Sequence, residues 1–284
     1  MNKLKQIFGS LVNRISLITI YFTYKVPYKI PVTEIFREAF AMPYFVTANK
    51  YVENIYEEPN FYVIKIKSIK RRIYWPKGYP MESFLYVLTE IMNKNNWHYY
   101  QSSNTKVCKG DVVVDCGASE GLFTLVNEKM IKKSYLFEPS KYFIDALKKT
   151  FHDDPKKIEI INYALSDKIQ TLDFSDNSVM GKIGENKSKS TKVKAITLDS
   201  YFYKKNIKID FIKADIEGWE EHLLLGGQKT IKKFKPKIAI TSYHPGNDYK
   251  KMVELILKIE PKYNYKIVGL AAGTKQPVMI HFWI

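Results

Sequence analysis

The sequence predicts an α/β fold built on an open, largely parallel sheet with helices on both faces. Three observations carry this. Downstream of residue 107, short β-branched runs alternate with stretches of helical period, the pattern of repeated βαβ units. The run Val112-Val113-Val114 is apolar throughout, as suits a strand covered on both sides. It ends at Asp115 in a turn holding Gly117 and Gly121, after which Leu122, Val126 and Met130 recur at helical spacing. Strand, glycine turn and helix open such a sheet, and ligands bind at the carboxyl ends of its strands.

Taken in order, the chain of 284 residues divides into an accessory region, 1–106, and a main α/β domain, 107–284. Residues 1–24 set Leu4, Ile7, Phe8, Leu11, Ile15, Ile18 and Phe22 on one helical face. That face suits either an acidic membrane interface or packing on the main domain or a twin subunit, and packing is preferred. Pro27, Pro31 and Pro43 then interrupt regular structure. The alternation over 61–75 predicts an antiparallel pair with one basic face. Phe84, Leu85, Val87, Leu88, Ile91 and Met92 predict an amphipathic helix leading to Trp97, Tyr99 and Tyr100, which are core residues or close over the strand end.

In the main domain Ser134–Phe137, Ile158–Tyr163, Ile209–Ala214 and Lys237–Thr241 read as further strands. A helix carrying Phe143, Leu147 and Phe151 follows the first of these. Ser175–Lys194, with Asn177, Ser178, Gly181, Gly184, Glu185 and Asn186, reads as a flexible hairpin or loop beside the sheet. Asn264–Leu270 and Val278–Trp283 read as a closing antiparallel hairpin.

The net charge is +16, and residues 1–80 supply half of it, with thirteen Lys/Arg against five Asp/Glu. Such an excess favours anionic partners or simply solvates the surface. Two cysteines, Cys108 and Cys116, match no zinc spacing and no disulfide framework, which points to a reducing cytoplasm. No apolar run nears the roughly 18 residues a bilayer span needs, and no secretory signal is read.

The glycine turn lacks the third glycine of a dinucleotide fingerprint, and the chain has no Gly-Lys-Ser/Thr for a phosphate loop. Glu138 follows Gly117 by 21 residues, where a carboxylate accepts from both hydroxyls of a ribose; its other reading is a cap on the next helix. Asp215 and Glu217 close one strand, where they serve chemistry or cap a helix. His244 closes the next, as a general base or as a turn residue. Together these three suit a divalent ion, magnesium or manganese, that would acidify a hydroxyl.

The string Val113-x-Asp115-x-Gly117-Ala118-x-x-Gly121-x-Phe123 resembles motif I of class I S-adenosylmethionine-dependent methyltransferases. Lys213-x-Asp215-Ile216-Glu217-Gly218-x-Glu220, with Leu and Gly downstream, resembles the FkbM-type branch of that superfamily, over about residues 107–283. The resemblance implies a Rossmann-like, seven-stranded sheet and S-adenosylmethionine as cofactor. It implies cofactor contacts at Asp115, Gly117, Ala118, Ser119, Gly121, Phe123, Glu138 and Asp215, with Ala164 at the adenine. It also implies O-methylation of a sugar or glycan hydroxyl, as in polysaccharide biosynthesis, with His244, Asp215 and Glu217 as catalytic residues. The Asp/Asn-Pro-Pro-Tyr/Phe signature of amino methyltransferases acting on nucleic acid is absent, which weighs against nucleic acid despite the charge. The competing readings are an RNA methyltransferase, or a non-catalytic membrane-associated module that keeps the fold. The expected setting is cytoplasmic, with a peripheral contact at the inner membrane face through residues 1–24 and a homodimer as a further option.

Overall fold

The computed structural model describes residues 3–24, 26, 28–176, 182–183 and 190–284. Helices α1 (Lys3–Thr23), α2 (Val32–Ala39) and α3 (Tyr44–Asn49) precede an antiparallel sheet of β1 (Val52–Glu57), β2 (Phe61–Ile66) and β3 (Arg72–Pro76). After α4 (Met81–Met92) the chain enters β4 (Asp111–Cys116), α5 (Leu122–Val126), β5 (Ile131–Phe137), α6 (Lys141–Thr150) and β6 (Ile158–Ile161). A second small sheet holds β7 (Ala164–Leu165), β8 (Gln170–Ser175), β9 (Lys182–Ile183) and β10 (Ser190–Ile196). Then come β11 (Phe211–Ala214), α7 (Glu220–Leu225), α8 (Gln228–Phe234), β12 (Lys237–Thr241), α9 (Tyr249–Ile259), β13 (Asn264–Val268) and β14 (Met279–Trp283).

The main sheet has seven strands in the order β13-β14-β12-β11-β4-β5-β6. β14 runs antiparallel to β12 and β13, and the remaining pairs are parallel. Successive residues of a strand face opposite sides, so Val113 enters one hydrophobic core and Val114 the other. The first core takes Phe143 and Leu147 of α6 together with Ile64, Ile73, Trp75, Phe84 and Leu88 of the accessory region. It therefore runs without a break across residues 106 and 107. The second core takes Leu223 and Leu224 of α7, Ile231 of α8 and Met252 and Ile256 of α9.

Several expectations need correction. The helix predicted through Met130 stops at Val126, where the Asn127 amide donates to the Phe123 carbonyl, and Met130 is exposed. Of the two readings of Ser175–Lys194, hairpin or loop, the described residues support the hairpin, because β8 and β10 pair antiparallel over six residues. The polar residues named there, Asn177, Ser178, Gly181, Gly184, Glu185 and Asn186, lie outside the described residues. Helix α1 packs through Leu17, with Ile18, Ile20 and Tyr21, against Ile30, Ile35, Trp97 and Leu270, while Ile15 and Phe22 of the predicted face are exposed. β1 was not legible as a strand. Its outward residues are largely exposed, and pairing with β2 is what fixes it.

Candidate active site

A cavity of about 660 Å³ opens at the carboxyl ends of β4, β5 and β11. Its size is that of a small-molecule or cofactor site. Gly117, Ala118, Ser119, Phe123, Glu138, Ala164, Asp215 and Glu217 all line it. The accessory region supplies a wall, from Gly78, Tyr79 and Pro80 through Tyr86, Glu90 and Ile91 of α4 to Tyr100. Two expected contacts do not reach it. Asp115 is turned into the sheet, and Gly121 lies against Leu147 and Phe151.

The turn after β4 is held by backbone and buried charge. Gly117 has φ +73°, and a Cβ there would fall 2.0 Å from the Asp215 carbonyl oxygen, so only glycine lets this loop touch the end of β11. The Gly117 and Ala118 amides donate to the Phe137 carbonyl at 3.0 and 3.1 Å. Lys213 Nζ donates to the Gly117 carbonyl at 2.6 Å and pairs with Asp115 at 3.1 Å, both groups being buried. The Thr124 hydroxyl completes the set, donating to Asp115 at 3.0 Å. Burial raises the Asp115 carboxyl against the pull of Lys213. Burial opposes the charge on Lys213, but the carboxylates around it prevail and raise its ammonium.

Glu138 accepts the Ser119 amide on Oε2 and the Ser140 amide on Oε1, each at 2.8 Å. It thus steadies the glycine turn and the start of α6 while lining the cavity. Burial pushes its carboxyl up to about 7. Each carboxylate oxygen has a second lone pair for a ligand hydroxyl.

At the other end Asp215, Glu217 and His244 converge. The Tyr100 hydroxyl donates to Asp215 Oδ2 at 2.5 Å. Asp215 Oδ1 lies 3.6 Å from His244 Nε2, and Glu217 Oε2 lies 3.3 Å from it. Glu217 is left-handed at φ +56°, and Gly218 follows at φ +102° with no room for a Cβ beneath the Pro245 carbonyl. That close approach brings the turn after β11 onto the turn after β12.

Glu220 is the residue the sequence reading left without a role. Fully buried, it accepts from the Ile216 and Gly218 amides, the Thr241 hydroxyl and the Asn247 amide, and it meets His244 Nδ1 at 3.0 Å. Neither Asp215 nor Glu217 caps α7, which begins without a side-chain cap; Glu220, at its first position, instead ties down the turn that precedes it. A glutamate just past a strand end and two residues beyond a glycine was the available signal. Lys213 announced itself too, as the one charge within Phe211-Ile212-Lys213-Ala214. Burial works against the His244 imidazolium, but Glu220, Asp215 and Glu217 outweigh it and hold the group up to about 9. Burial likewise opposes charge on Asp215, yet His98, His244 and Lys213 bring it down to about 2.

The sequence matches the family model described as Methyltransferase FkbM domain over residues 115–267. Among solved structures, the methyltransferase FkbM from Methylobacillus flagellatus KT is similar at a TM-score of 0.51 and 17% identity, covering 89% of this chain and 60% of that one. The M. jannaschii tRNA m1G37 methyltransferase gives a TM-score of 0.40 at 16% identity, covering 82% of this chain and 55% of that one. A SAM-dependent methyltransferase from Agrobacterium tumefaciens gives 0.43 at 11% identity, covering 80% and 71%. At 17% identity the likeness to the Methylobacillus protein is one of fold. No curated protein matches the chain.

Proposed function

The chain belongs to the FkbM methyltransferase family, and on that premise we propose that it transfers the methyl group of S-adenosylmethionine to a hydroxyl of a sugar in a glycan or its precursor. The observation that carries this reading is the cluster at one end of the cavity, where Asp215 and Glu217 lie 3.6 and 3.3 Å from His244 Nε2 and Glu220 holds the other ring nitrogen. In-line transfer breaks the S–CH₃ bond, forms a C–O bond and releases the hydroxyl proton, so an oxygen acceptor needs proton-handling groups beside it. Glu90 adds a further carboxyl to this wall, while Tyr86, Trp219 and Tyr243 offer aromatic faces. A neutral polyol suits such a surface better than a phosphodiester chain, which the carboxylates would repel. Incubating the protein with labelled S-adenosylmethionine and panels of glycans, sugar nucleotides and RNA tests this. Label in RNA, with none in any sugar, would overturn it.

The ribose assignment makes a separate prediction. Glu138→Ala should weaken cofactor binding by one to two orders of magnitude, since charge-assisted hydrogen bonds contribute about 1.5–3 kcal/mol. Calorimetry with S-adenosylhomocysteine measures it, and unchanged affinity would remove Glu138 from the ribose.

We assign residues 12–42 a peripheral contact with an anionic membrane surface. Val12, Ile15 and Phe22 of α1 and Phe36, Phe40 and Met42 at α2 are exposed, and the Arg14 guanidinium donates to the Ala41 carbonyl between the two groups. Residues 1–50 hold seven Lys/Arg and two Asp/Glu, which favours acidic lipid over a second copy of a chain carrying +16. Among the described residues no helix is long and apolar enough to cross a membrane. Vesicles rich in phosphatidylserine should sediment the protein, salt should release it, and Phe36→Ser with Phe40→Ser should abolish the effect. Equal sedimentation of the double variant would refute the contact.

A further inference from the structure

We propose that Asp215, Glu217 and His244 bind one divalent cation, manganese in preference to magnesium, at the acceptor end of the cavity. The chemical task given to this ion rests on the hydroxyl-acceptor reading above; its binding does not.

The geometry is that of a ligand set. One donor atom from each residue lies within 4.8 Å of the others. His244 Nε2 stands 3.3 and 3.6 Å from the two carboxylate oxygens. Ligands held about 2.1 Å from a common ion at tetrahedral to octahedral angles lie roughly 3.0–3.5 Å apart, close to both spacings from His244 to the carboxylates. Asp215 and Glu217 line the cavity, which leaves further coordination positions open to water or an acceptor hydroxyl.

A second observation is independent of the acidic pair. His244 is 3% exposed, and its Nε2 is buried without a hydrogen-bond partner while aimed at these two carboxylates. Its other nitrogen meets Glu220 at 3.0 Å, which fixes the ring with Nε2 facing the cluster, where a bound ion would take the place of the Nε2 proton. A carboxylate behind the imidazole is the usual support of a metal-bound histidine. Glu220 is itself anchored by two backbone amides, Thr241 and Asn247. Asp215 has comparable support, with Oδ2 taken by Tyr100 and Oδ1, which the Thr241 hydroxyl reaches at 3.4 Å, on the side of His244. Two hard oxygen ligands and one imidazole favour manganese over magnesium, and the absence of a thiolate from the set disfavours softer ions.

The ion supplies a positive charge against which the acceptor oxygen loses its proton. The O–H bond breaks with the proton passing to water, the acceptor oxygen takes the methyl carbon, and the S–C bond electrons stay with sulfur as S-adenosylhomocysteine. Charge balances, because the sulfonium cation is replaced by the released proton.

Titrating manganese into the chelator-treated chain, with the free ion followed by electron paramagnetic resonance, tests the site. One saturable site per chain is expected, displaced by magnesium only at higher concentration. Glu220→Gln should weaken it about 10- to 100-fold, the usual effect of losing a partner behind a metal ligand. Glu217→Gln, a change at the cavity wall, should weaken it at least as much even if the buried variant folds poorly. S-adenosylhomocysteine binding is measured on the same samples. No saturable manganese site, or equal binding by wild type, Glu217→Gln and His244→Asn, overturns the proposal. Cofactor binding without manganese binding removes the ion and spares the methyl-transfer reading. Manganese binding without cofactor binding does the reverse.

Discussion

Lys213→Met is expected to destabilise the protein by about 3–5 kcal/mol, the cost of leaving a buried charge without its partner. The methionine fills a similar volume, so lost packing contributes little. What remains is Asp115, fully buried, with Thr124 as its only side-chain hydrogen-bond donor among the described residues. The same substitution removes the 2.6 Å bond to the Gly117 carbonyl and loosens the turn that lines the cavity. Denaturant midpoints measure the first effect and calorimetry with S-adenosylhomocysteine the second. Adding Asp115→Leu should return much of the stability, since an apolar pair replaces a buried ion pair at small cost. It should not return cofactor affinity, because the Gly117 carbonyl still lacks its donor. A single variant as stable as wild type would show that Asp115 is neutral in the folded chain.

Gly117→Ala should abolish detectable cofactor binding. The methyl group would sit 2.0 Å from the Asp215 carbonyl oxygen, a backbone atom with no rotamer to yield. The positive φ of 73° adds about 1 kcal/mol of strain for a side chain, and the overlap adds about 1–3 kcal/mol. Relief requires the turn to move off β11, which displaces Ala118 and Ser119 from the cavity wall and separates Ser119 from Glu138. Gly273→Ala is the control, because nothing lies within 4 Å of its added carbon. Near-normal affinity in Gly117→Ala would mean that this turn does not hold the ligand.

Much of this architecture is readable from sequence because local chemistry specifies it. The β-branched run Val112–Val114, the glycines and the helix bearing Phe143 and Leu147 announce β4, its turn and α6. The closing hairpin is likewise written in the alternation around Gly273. Asp215, Glu217 and His244 could be grouped because each ends a strand, and parallel strands bring their ends together. The helix α4 and Tyr100 could be read as core or as a cover over the strand end, but the choice between the two, and the partner they meet, was beyond such reasoning. Tyr100 meets Asp215 across 115 positions of sequence, and only the shared core brings them together. Helix α1 shows a different limit. It carries apolar residues on more than one side, and periodicity cannot say which side packs on Trp97 and Leu270 and which is left outside. Glu220 was hidden for a third reason. Its place at the start of α7 is readable, but its hold on His244 depends on a second turn 24 residues away.

Calorimetric titration of S-adenosylmethionine and S-adenosylhomocysteine into the full chain decides whether this cavity holds the methyl donor. One site per chain with micromolar affinity for both ligands is predicted, lost in Gly117→Ala and weakened in Glu138→Ala. Absence of binding by either ligand to the folded wild-type chain would contradict the assignment of this cavity to the methyl donor.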